Sequence, residues 1–507
     1  MTTLKQEAEA VSPRRPAIGL PRLHWTRILA ISIFAFALNF HWAALGIIIL
    51  PSQVLKIAGD LNKGTALAFV LVPGAFVSLF AIPLFGWLSD QTHGRIAVWG
   101  RRRPYILAGT LVNVAALVWM ASARDIPSLT AAYILVQFSS NAAQAPFHAL
   151  LPDIVPVEQR GLTSGVIGFL LIAGNIGGVI VAGQLIDASK PLSLYQQGLW
   201  LAYGIIIAIL VLLMLVTLLF VHERASVDTQ RFAARKAQAE ENVEARPLRS
   251  RMPRSLLFTL VGTIAATLLA GGIMAIWNRW NVVGIQIDST VQQVVLELIV
   301  TVGILRLFDF HPRRDPDFAW VFVTRLIMMM GIYTIQTFLQ YYMRDAVGVA
   351  HPEQATTDFV ILVSLTSLAT AFAAGWLSDR FGRKRLVYIS GAMMALVGLI
   401  FVLTHSFPIV IAAGALFGLG YGAYQSVDWA LVADVLPSER SYARDMGIWN
   451  IALSLPQVIA PVLGGPLIDS FTRAGNPVPG FQLLFTMAIV YCVLGTVTVR
   501  YIRGVKR

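Results

Sequence analysis

The pentapeptide Gly86-Trp87-Leu88-Ser89-Asp90 recurs further along the chain as Gly375-Trp376-Leu377-Ser378-Asp379. Each copy ends a long apolar stretch and precedes a basic cluster, at 100–103 in the first case and at 382–385 in the second. Two further pairs of matching segments follow in the same order, one starting at Gln144 and Gln425 and the other at Gly183 and Gly465. Three ordered pairs over most of the chain predict two related halves.

The composition indicates a membrane protein. Of 507 residues, 56% are hydrophobic and 13% are charged. Apolar stretches of about 20 residues recur along the chain, each long enough to cross a bilayer core as a helix. Much of the net charge of +12 lies in short loops between these stretches, which indicates topology and argues against a nucleic-acid partner. The single cysteine, Cys492, excludes an intrachain disulfide and a cysteine-based metal site, and we expect no metal and no cofactor.

The apolar stretches predict about fourteen transmembrane helices, six in each half and two between the halves. The predicted spans run at 27–50, 65–87, 105–122, 128–150, 162–186 and 197–221 in the first half, and at 318–343, 358–378, 386–404, 408–433, 446–469 and 481–502 in the second. Two leftover apolar runs at 255–277 and 290–308 predict an inserted hairpin. The alternative is twelve spans with this pair on the membrane surface, which Glu297 within the second run favours.

The predicted fold class is an all-α integral membrane protein with five segments. These are a cytoplasmic tail at 1–26, an N-terminal six-helix bundle at 27–222, a cytoplasmic connector at 223–254, the transmembrane hairpin at 255–317 and a C-terminal six-helix bundle at 318–507. Basic residues follow the second and fourth spans, so the positive-inside rule places both termini in the cytoplasm. The tail lacks the cleavage pattern of a signal peptide. We therefore expect a monomeric multi-pass protein of the cell (inner) membrane.

The repeated pentapeptide and its basic cluster, placed between the second and third spans of each half, resemble the signature of the major facilitator superfamily. The resemblance implies two pseudo-symmetric six-helix bundles that move a solute by alternating access, and a transporter rather than an enzyme. It also implies that carboxylate and guanidinium groups of this motif latch neighbouring helices in one state of the cycle. The residues assigned to gating are Gly86, Asp90, Arg101, Arg102, Arg103, Gly375, Asp379, Arg383 and Arg385, together with the helix-end residues Asp153 and Asp434.

Within the superfamily, three segments resemble the sucrose/proton symporter group, which is close to the glycoside–cation symporters. Residues 100–106 are similar to that group's Gly-Arg-Arg-Arg-Pro-Phe-Ile, residues 39–43 to its Gln-Phe-Gly-Trp-Ala, and residues 141–153 to its segment with Gln-Gly-Pro in the fourth span. Two positions depart from the group. Its membrane-embedded Asp, associated with the proton, falls at Gln137, and its Arg, associated with sugar binding, falls at His148. An amide does not take up a proton at accessible pH, so either coupling has moved elsewhere or this is not a proton symporter of that design.

Polar residues in the predicted fourth span share one helical face. Gln137, Asn141, Gln144 and His148 follow the spacing i, i+4, i+7, i+11, and polar side chains within a membrane usually face the protein interior. Other spans contribute similar candidates for substrate binding, namely Asn39, Trp42, Tyr333, Gln336, Tyr424, Gln425, Asn450 and Gln457. Neutral amides and aromatic rings suit a small neutral polyhydroxylated solute, such as a sugar or glycoside. The alternative for any one of these residues is helix–helix hydrogen bonding.

Proton coupling is expected at Asp428 or His148, the remaining titratable groups deep in the predicted spans. Asp428 lies about six residues into its span, where the sequence suggests no partner for the carboxylate. The expected partners are therefore a small-molecule substrate, protons and the lipid bilayer. An exporter of drugs, lipids or a natural product within the same superfamily is the main alternative, and a non-transporting sensor is a third class.

Overall fold

The computed structural model describes residues 22–92, 99–221, 254–280, 287, 289–307, 312–435 and 442–503. These residues are almost entirely helical, and no strand occurs among them. Most of the predicted tail at 1–26 and nearly all of the predicted connector at 223–254 lie outside the described residues. An all-α fold follows from the sequence because a helix satisfies its own backbone hydrogen bonds, which a lipid environment requires.

The first half consists of six long rods. The first rod has 34 residues: α1 (Trp25–Ala43) continues through a π-helical turn at Ala44–Ile49 into α2 (Leu50–Ala58). The other five rods are α3 (Lys63–Asp90), α4 (Arg103–Ser122), α5 (Ile126–Ile154), α6 (Arg160–Leu185) and α7 (Leu192–Phe220). Pro104 and Pro127 lie in the first turns of α4 and α5, where a missing backbone N–H costs nothing.

Two helices separate the halves, and six form the second half. The separate pair is α8 (Arg254–Trp280) and α9 (Ser289–Leu307). The second half comprises α10 (Pro316–Asp345), α11 (Pro352–Phe381), α12 (Arg383–Leu403), α13 (Phe407–Val435), α14 (Tyr442–Arg473) and α15 (Val478–Thr498). Residues 25–58 count as one rod, so the described chain contains fourteen rods of membrane-spanning length.

Eleven of these rods contain a stretch long and apolar enough to cross a membrane. The other three are α5, α9 and α11, and α5 carries the polar stripe that lowers its mean hydropathy. Each rod contains or closely overlaps a span predicted from the sequence. The rods generally extend a few residues beyond the apolar core because helices continue into polar flanks that hydropathy does not mark.

The two halves repeat the same packing. In the first half α1 packs on α6, and both α3 and α4 pack on α5. In the second half α10 packs on α14, and both α11 and α12 pack on α13. Equivalent helices therefore meet equivalent partners, as the duplicated sequence leads one to expect.

The halves meet along two seams, α3 with α14 and α6 with α11. At the first seam the backbones nearly touch, because a Cβ atom added to Gly64 would lie 2.5 Å from the carbonyl oxygen of Gly465. At the second seam Thr357 Oγ1 donates to the carbonyl of Val179 at 3.0 Å. Small residues allow this close approach, which is typical of helix packing in membranes.

The inserted pair lies against one of these seams. Helices α8 and α9 pack on each other, and α9 contacts both α14 and α3. Many apolar side chains of α8, such as Phe258 and Leu268, are exposed, which is the pattern of a lipid-facing helix. The side chain of Glu297, which favoured a surface location in the sequence, lies outside the described residues.

The first rod and α14 have an irregular backbone. The π-helical turn at Ala44–Ile49 interrupts the first rod, and α14 contains Pro456, Pro461 and Pro466 in its interior. A π turn inserts a residue into the helical repeat, and each proline removes one backbone hydrogen bond. Both rods line the space between the halves.

Candidate functional site

A cavity of about 540 Å³ lies between the two halves. The first rod, α3 and α5 line it from the first half, and α10 and α14 line it from the second. Its volume lies within the range of about 300–1,000 Å³ typical of small-molecule sites. The lining residues are Asn39, Trp42, Gly46, Ile47, Leu67, Leu71, Ala75, Ser78, Ile82, Tyr133, Gln137, Asn141, Gln144, Tyr333, Gln336, Thr337, Leu453, Ser454 and Gln457.

The α5 stripe forms one polar wall of the cavity. Gln137 Nε2 donates to Tyr133 Oη at 2.9 Å, and Asn141 Nδ2 donates to the Gln137 carbonyl at 2.7 Å. Gln144 Nε2 lies 3.2 Å from His148 Nε2. Contacts at i, i+4 join this stripe along its length, so its amides are held in place before any ligand binds.

The second half supplies the facing wall. Gln457 Nε2 of α14 donates to Tyr333 Oη of α10 at 2.8 Å, which links the two helices of this wall. Gln336, one turn along from Tyr333, is exposed to the cavity. The described lining contains no Asp, Glu, Lys or Arg side chain. The cavity therefore offers amides, hydroxyls and aromatic rings rather than charges.

Four sequence-predicted site residues lie elsewhere or cannot be placed. His148 lines a separate cavity of about 230 Å³ with Phe147, and its side chain is exposed. Gln425 donates to Tyr421 Oη at 2.8 Å and, like Tyr424, does not belong to the lining of the larger cavity. The side chain of Asn450 lies outside the described residues. Sequence reasoning also missed Tyr133 and Thr337, although Tyr133 is one turn before Gln137 on the same face.

Asp428 has a partner, which corrects the expectation of an unpaired carboxylate. Arg325 Nη1 of α10 forms an ion pair with Asp428 Oδ2 of α13, and each residue is only 2% exposed. The Tyr424 hydroxyl donates to Asp428 Oδ1 at 3.3 Å. The guanidinium carbon of Arg325 also lies 3.5 Å from the centre of the Trp449 ring. The carboxylate is therefore neutralised by a buried cation that comes from a helix about a hundred positions away in the sequence.

The arginine clusters bond within their own halves. Arg101 Nη2 and Arg102 Nε lie 3.0 and 3.1 Å from Asp153 Oδ2, and Arg102 Nη1 donates to Ser89 Oγ at 2.6 Å. In the second half Arg383 pairs with Asp434, the repeat equivalent of Asp153. The first cluster thus joins the second, third and fourth rods of its half. The second cluster joins the third and fourth rods of its half. The side chains of Asp90 and Asp379 lie outside the described residues.

The face that carries these clusters is called the motif face, and the other end of the rods the opposite face. At the opposite face a set of contacts between the halves, here called the seal, closes the cavity. Lys63 pairs with Asp345, and Arg344 Nη1 lies 2.6 Å from Asp60 Oδ1. Asp469 accepts the backbone N–H groups of Gly64 and Thr65 at 2.9 and 2.7 Å, which caps the start of α3.

The seal continues on its other side through neutral groups. Tyr341 Oη donates to the Pro51 carbonyl at 2.9 Å, and Ser52 Oγ donates to Glu353 Oε1 at 3.0 Å. Every one of these bonds joins the first half to the second. They must break if the cavity is to open at the opposite face.

Among the described residues, no group of three or more His, Cys, Asp or Glu side chains is placed to bind a metal ion. Cys492, the single cysteine, belongs to α15 and is buried against Gly331 of α10.

Sequence comparison finds transporters whose names indicate different cargoes. The chain is 22% identical to the multidrug transporter protein MdtP of Bacillus subtilis over 78% of this chain and 67% of that protein. It is 26% identical to the sucrose transport protein SUC4 of Arabidopsis thaliana over 33% of this chain and 36% of that protein. It is also 26% identical to the multidrug efflux pump LfrA of Mycolicibacterium smegmatis, but only over 31% of this chain and 32% of that pump.

The fold is that of solved transporters. A crystal structure of the peptide transporter POT in complex with sulfate superposes with a TM-score of 0.66 at 15% identity, covering 96% of this chain and 98% of that one. The family model described as MFS/sugar transport protein matches residues 32–307, and the one described as Major Facilitator Superfamily matches residues 321–507. The match to the sucrose transport protein agrees with the resemblance of residues 100–106 and 141–153 noted in the sequence. The chain is a membrane transporter, not an enzyme, and it belongs to the major facilitator superfamily.

Proposed function

We propose that the chain carries a small neutral polar solute, a sugar or glycoside, across the membrane by alternating access of its two halves. The observation that carries this proposal is the lining of the central cavity, in which amide and hydroxyl groups face one another without a charged side chain. Such groups hydrogen-bond to the hydroxyls of a sugar, and the rings of Trp42 and Tyr333 are available to cover its apolar faces.

The absence of charge from the described lining bears on the class of cargo. An anionic cargo entering a site without cations would lose its hydration without compensation, which is costly in a low-dielectric interior. The buried cations Arg325 and Lys63 lie outside this lining, and Asp428 and Asp345 already neutralise them. A neutral cargo avoids this cost. The match to a sucrose transport protein supports the same class of cargo.

We infer that the motif face is cytoplasmic, because the basic clusters lie there. The structure would then be closed on the outside by the seal. Since both walls of the cavity come from one chain, a monomer suffices for transport. We also propose that transport is coupled to protons. Of the two residues predicted from the sequence to carry the proton, Asp428 is paired with Arg325, and His148 lies outside the central cavity.

An exporter of drugs or other apolar compounds is the second candidate. Apolar residues such as Ile47, Leu67 and Leu71 share the cavity with the amides, and two of the relatives are named as multidrug transporters. Uptake of a panel of labelled sugars by proteoliposomes, with a panel of fluorescent cationic dyes in parallel, separates the two candidates. We expect saturable sugar uptake that unlabelled sugar competes away. Dye transport without sugar uptake would refute the sugar assignment.

A further inference from the structure

One carboxyl group in the seal is not accounted for by the transport proposal. Glu353 is the second residue of α11 and is only 1% exposed. It lies between the halves, at the point where the first rod, α6 and α10 approach α11. Asp60 and Asp345, the carboxylates of the ion pairs in the seal, have cationic partners, whereas Glu353 is bonded only by uncharged groups of the described residues.

The three hydrogen bonds that other residues donate to the Glu353 carboxyl group all reach the same oxygen atom. Oε1 accepts from Ser52 Oγ at 3.0 Å, from the backbone N–H of Ala188 at 3.1 Å and from Gln340 Nε2 at 3.2 Å. Ser52 and Ala188 belong to the first half and Gln340 to the second. Oε2 is buried and has no hydrogen-bond partner in the described part of the chain.

No cation neutralises Glu353 among the described residues, in which it forms no ion pair. The nearby basic groups serve other carboxylates: Lys63 pairs with Asp345, and Lys190 Nζ and His351 Nδ1 lie 3.8 and 3.2 Å from Asp187 Oδ2. The titratable groups that face Glu353 are the Asp187 carboxylate and the Tyr195 hydroxyl. The charge of Asp187 disfavours a second negative charge on Glu353, and the Tyr195 hydroxyl donates no hydrogen bond to Glu353 in the described part of the chain.

Asp187 remains an anion at this site. Burial raises the pKa of the Asp187 carboxyl, but hydrogen bonds from Ser189 N at 2.9 Å and Ser189 Oγ at 2.5 Å outweigh it, so its pKa lies below the ordinary value. A second anion next to it is electrostatically unfavourable. The region around Glu353 therefore favours a neutral side chain.

The hydrogen-bond pattern fits a neutral carboxylic acid. Oε1 then acts as the carbonyl oxygen that accepts three bonds, and Oε2 carries the proton. Gln340 Oε1 is another buried acceptor without a donor in the described residues. Two side chains that are hydrogen-bonded to each other thus each have an acceptor without a donor, and protonation of Glu353 supplies one proton to the pair. A buried anion with neither a cation nor a donor at its second oxygen is costly.

We propose that Glu353 is a proton-binding site, and that the seal closes only when this side chain is neutral. The proposal rests on the alternating-access function above, but not on the identity of the cargo. When the opposite face opens, Ser52 and Ala188 move away with the first half and water reaches the carboxyl group. The open state then binds a proton less tightly than the sealed state. By linkage, low pH favours the sealed state and rising pH favours the open state.

The test measures opening directly, without any cargo. Leu67 lines the cavity one turn from the seal and is fully buried, so a cysteine there reports on access from the opposite face. The protein is reconstituted as Leu67→Cys in a Cys492→Ala background, and a membrane-impermeant maleimide is applied from the opposite face at equal pH on both sides. Because the maleimide reacts with the thiolate, each rate is divided by the rate of the same cysteine in the unfolded protein at the same pH. One linked proton predicts that this corrected labelling rate rises by at most about tenfold per pH unit over the titration range.

Three variants in this background decide the outcome. Glu353→Gln mimics the neutral acid and is expected to label slowly at every pH, whereas Glu353→Asp should retain a pH-dependent rate. Asp358→Asn removes an exposed carboxylate from the same helix and should behave like the parent. The proposal is overturned if the parent shows no pH dependence, or if Glu353→Gln retains the full dependence. Should Glu353→Gln fail to fold, a corrected parent rate that does not change with pH, or a Glu353→Asp variant whose rate changes with pH over the same range as that of the parent, still overturns the proposal.

Failure of the sugar assignment has a different signature. Proteoliposomes that take up no sugar but show pH-dependent labelling would contradict the cargo and leave the proton site intact. Sugar uptake combined with pH-independent labelling would contradict the proton site alone.

Discussion

Replacing Asp428 with Asn tests the buried ion pair of the second half. The change removes the negative charge that neutralises Arg325, while the amide oxygen of Asn can still accept the bond from the Tyr424 hydroxyl. The measured effect therefore isolates the charge rather than the hydrogen bond. Arg325 is only 2% exposed, so its uncompensated charge has little access to water.

The expected magnitude follows from the surroundings of Arg325. Removing one partner of a buried ion pair costs about 3–5 kcal/mol, because the other charge is left without compensation. The Trp449 ring, 3.5 Å from the guanidinium carbon, retains a cation–π interaction of about 0.5–2 kcal/mol. We therefore expect a loss of about 3 kcal/mol for Asp428→Asn, towards the lower end of that range.

The assay is thermal unfolding of the purified protein in detergent, with retention of monodispersity as the readout. Asp428→Asn and Arg325→Met should each lower the unfolding midpoint, and the double variant Arg325→Met/Asp428→Leu should recover most of the loss, since it leaves no buried charge. Asp358→Asn, an exposed carboxylate in α11, is the control and should have almost no effect. If Asp428→Asn is as stable as the parent but no longer accumulates cargo against a gradient, the pair is not structural and Asp428 carries the proton.

Three further predictions concern the cavity, the seal and the hairpin. Gln144→Ala and Gln457→Ala should each raise KM for cargo about two- to tenfold, as expected for one lost hydrogen bond of about 0.5–1.5 kcal/mol. Gln425→Ala, outside the lining, should not, and equal losses in all three would contradict the cavity assignment. Gly64→Ala places a Cβ atom 2.5 Å from the Gly465 carbonyl oxygen and should therefore open the seal. Faster maleimide labelling of Leu67→Cys would detect this opening. Gly204→Ala is the matched control, because no atom lies within 4 Å of its added Cβ atom. A cysteine at Trp280, at the end of α8, should react only from the side opposite the N-terminus, and reaction from the N-terminal side would remove the two extra spans.

Local patterns in the sequence predicted most of the helices and much of the cavity. A helix in lipid requires a long apolar stretch, so each rod is encoded by neighbouring residues. The stripe of Gln137, Asn141 and Gln144 was also predictable, because the 3.6-residue repeat places these side chains on one face. The duplicated segments predicted which helices are equivalent, and the packing of the two halves agrees with them.

Contacts between distant segments were not predictable from one sequence. Nothing near Asp428 indicates that its partner is Arg325, because that pairing depends on how α10 and α13 cross. The placement of His148 in a separate cavity depends on how α1 and α6 pack around the last turns of α5. The sequence analysis did not single out Glu353, because the approach of the first half is what buries it.

The irregular backbone of the first rod and of α14 makes the halves mechanically unequal. The π-helical turn lies in the first rod and the three prolines in α14, but the repeat partners of these rods, α10 and α6, are described as uninterrupted α-helices. A rod bends most easily where backbone hydrogen bonds are missing or displaced. The alternative state of a duplicated transporter is commonly built by exchanging the conformations of the two halves. Such an exchange would require α10 and α6 to bend, although neither contains a π turn or an interior proline. The outward-open form of this chain is expected to depart from such a mirror construction at these two rods.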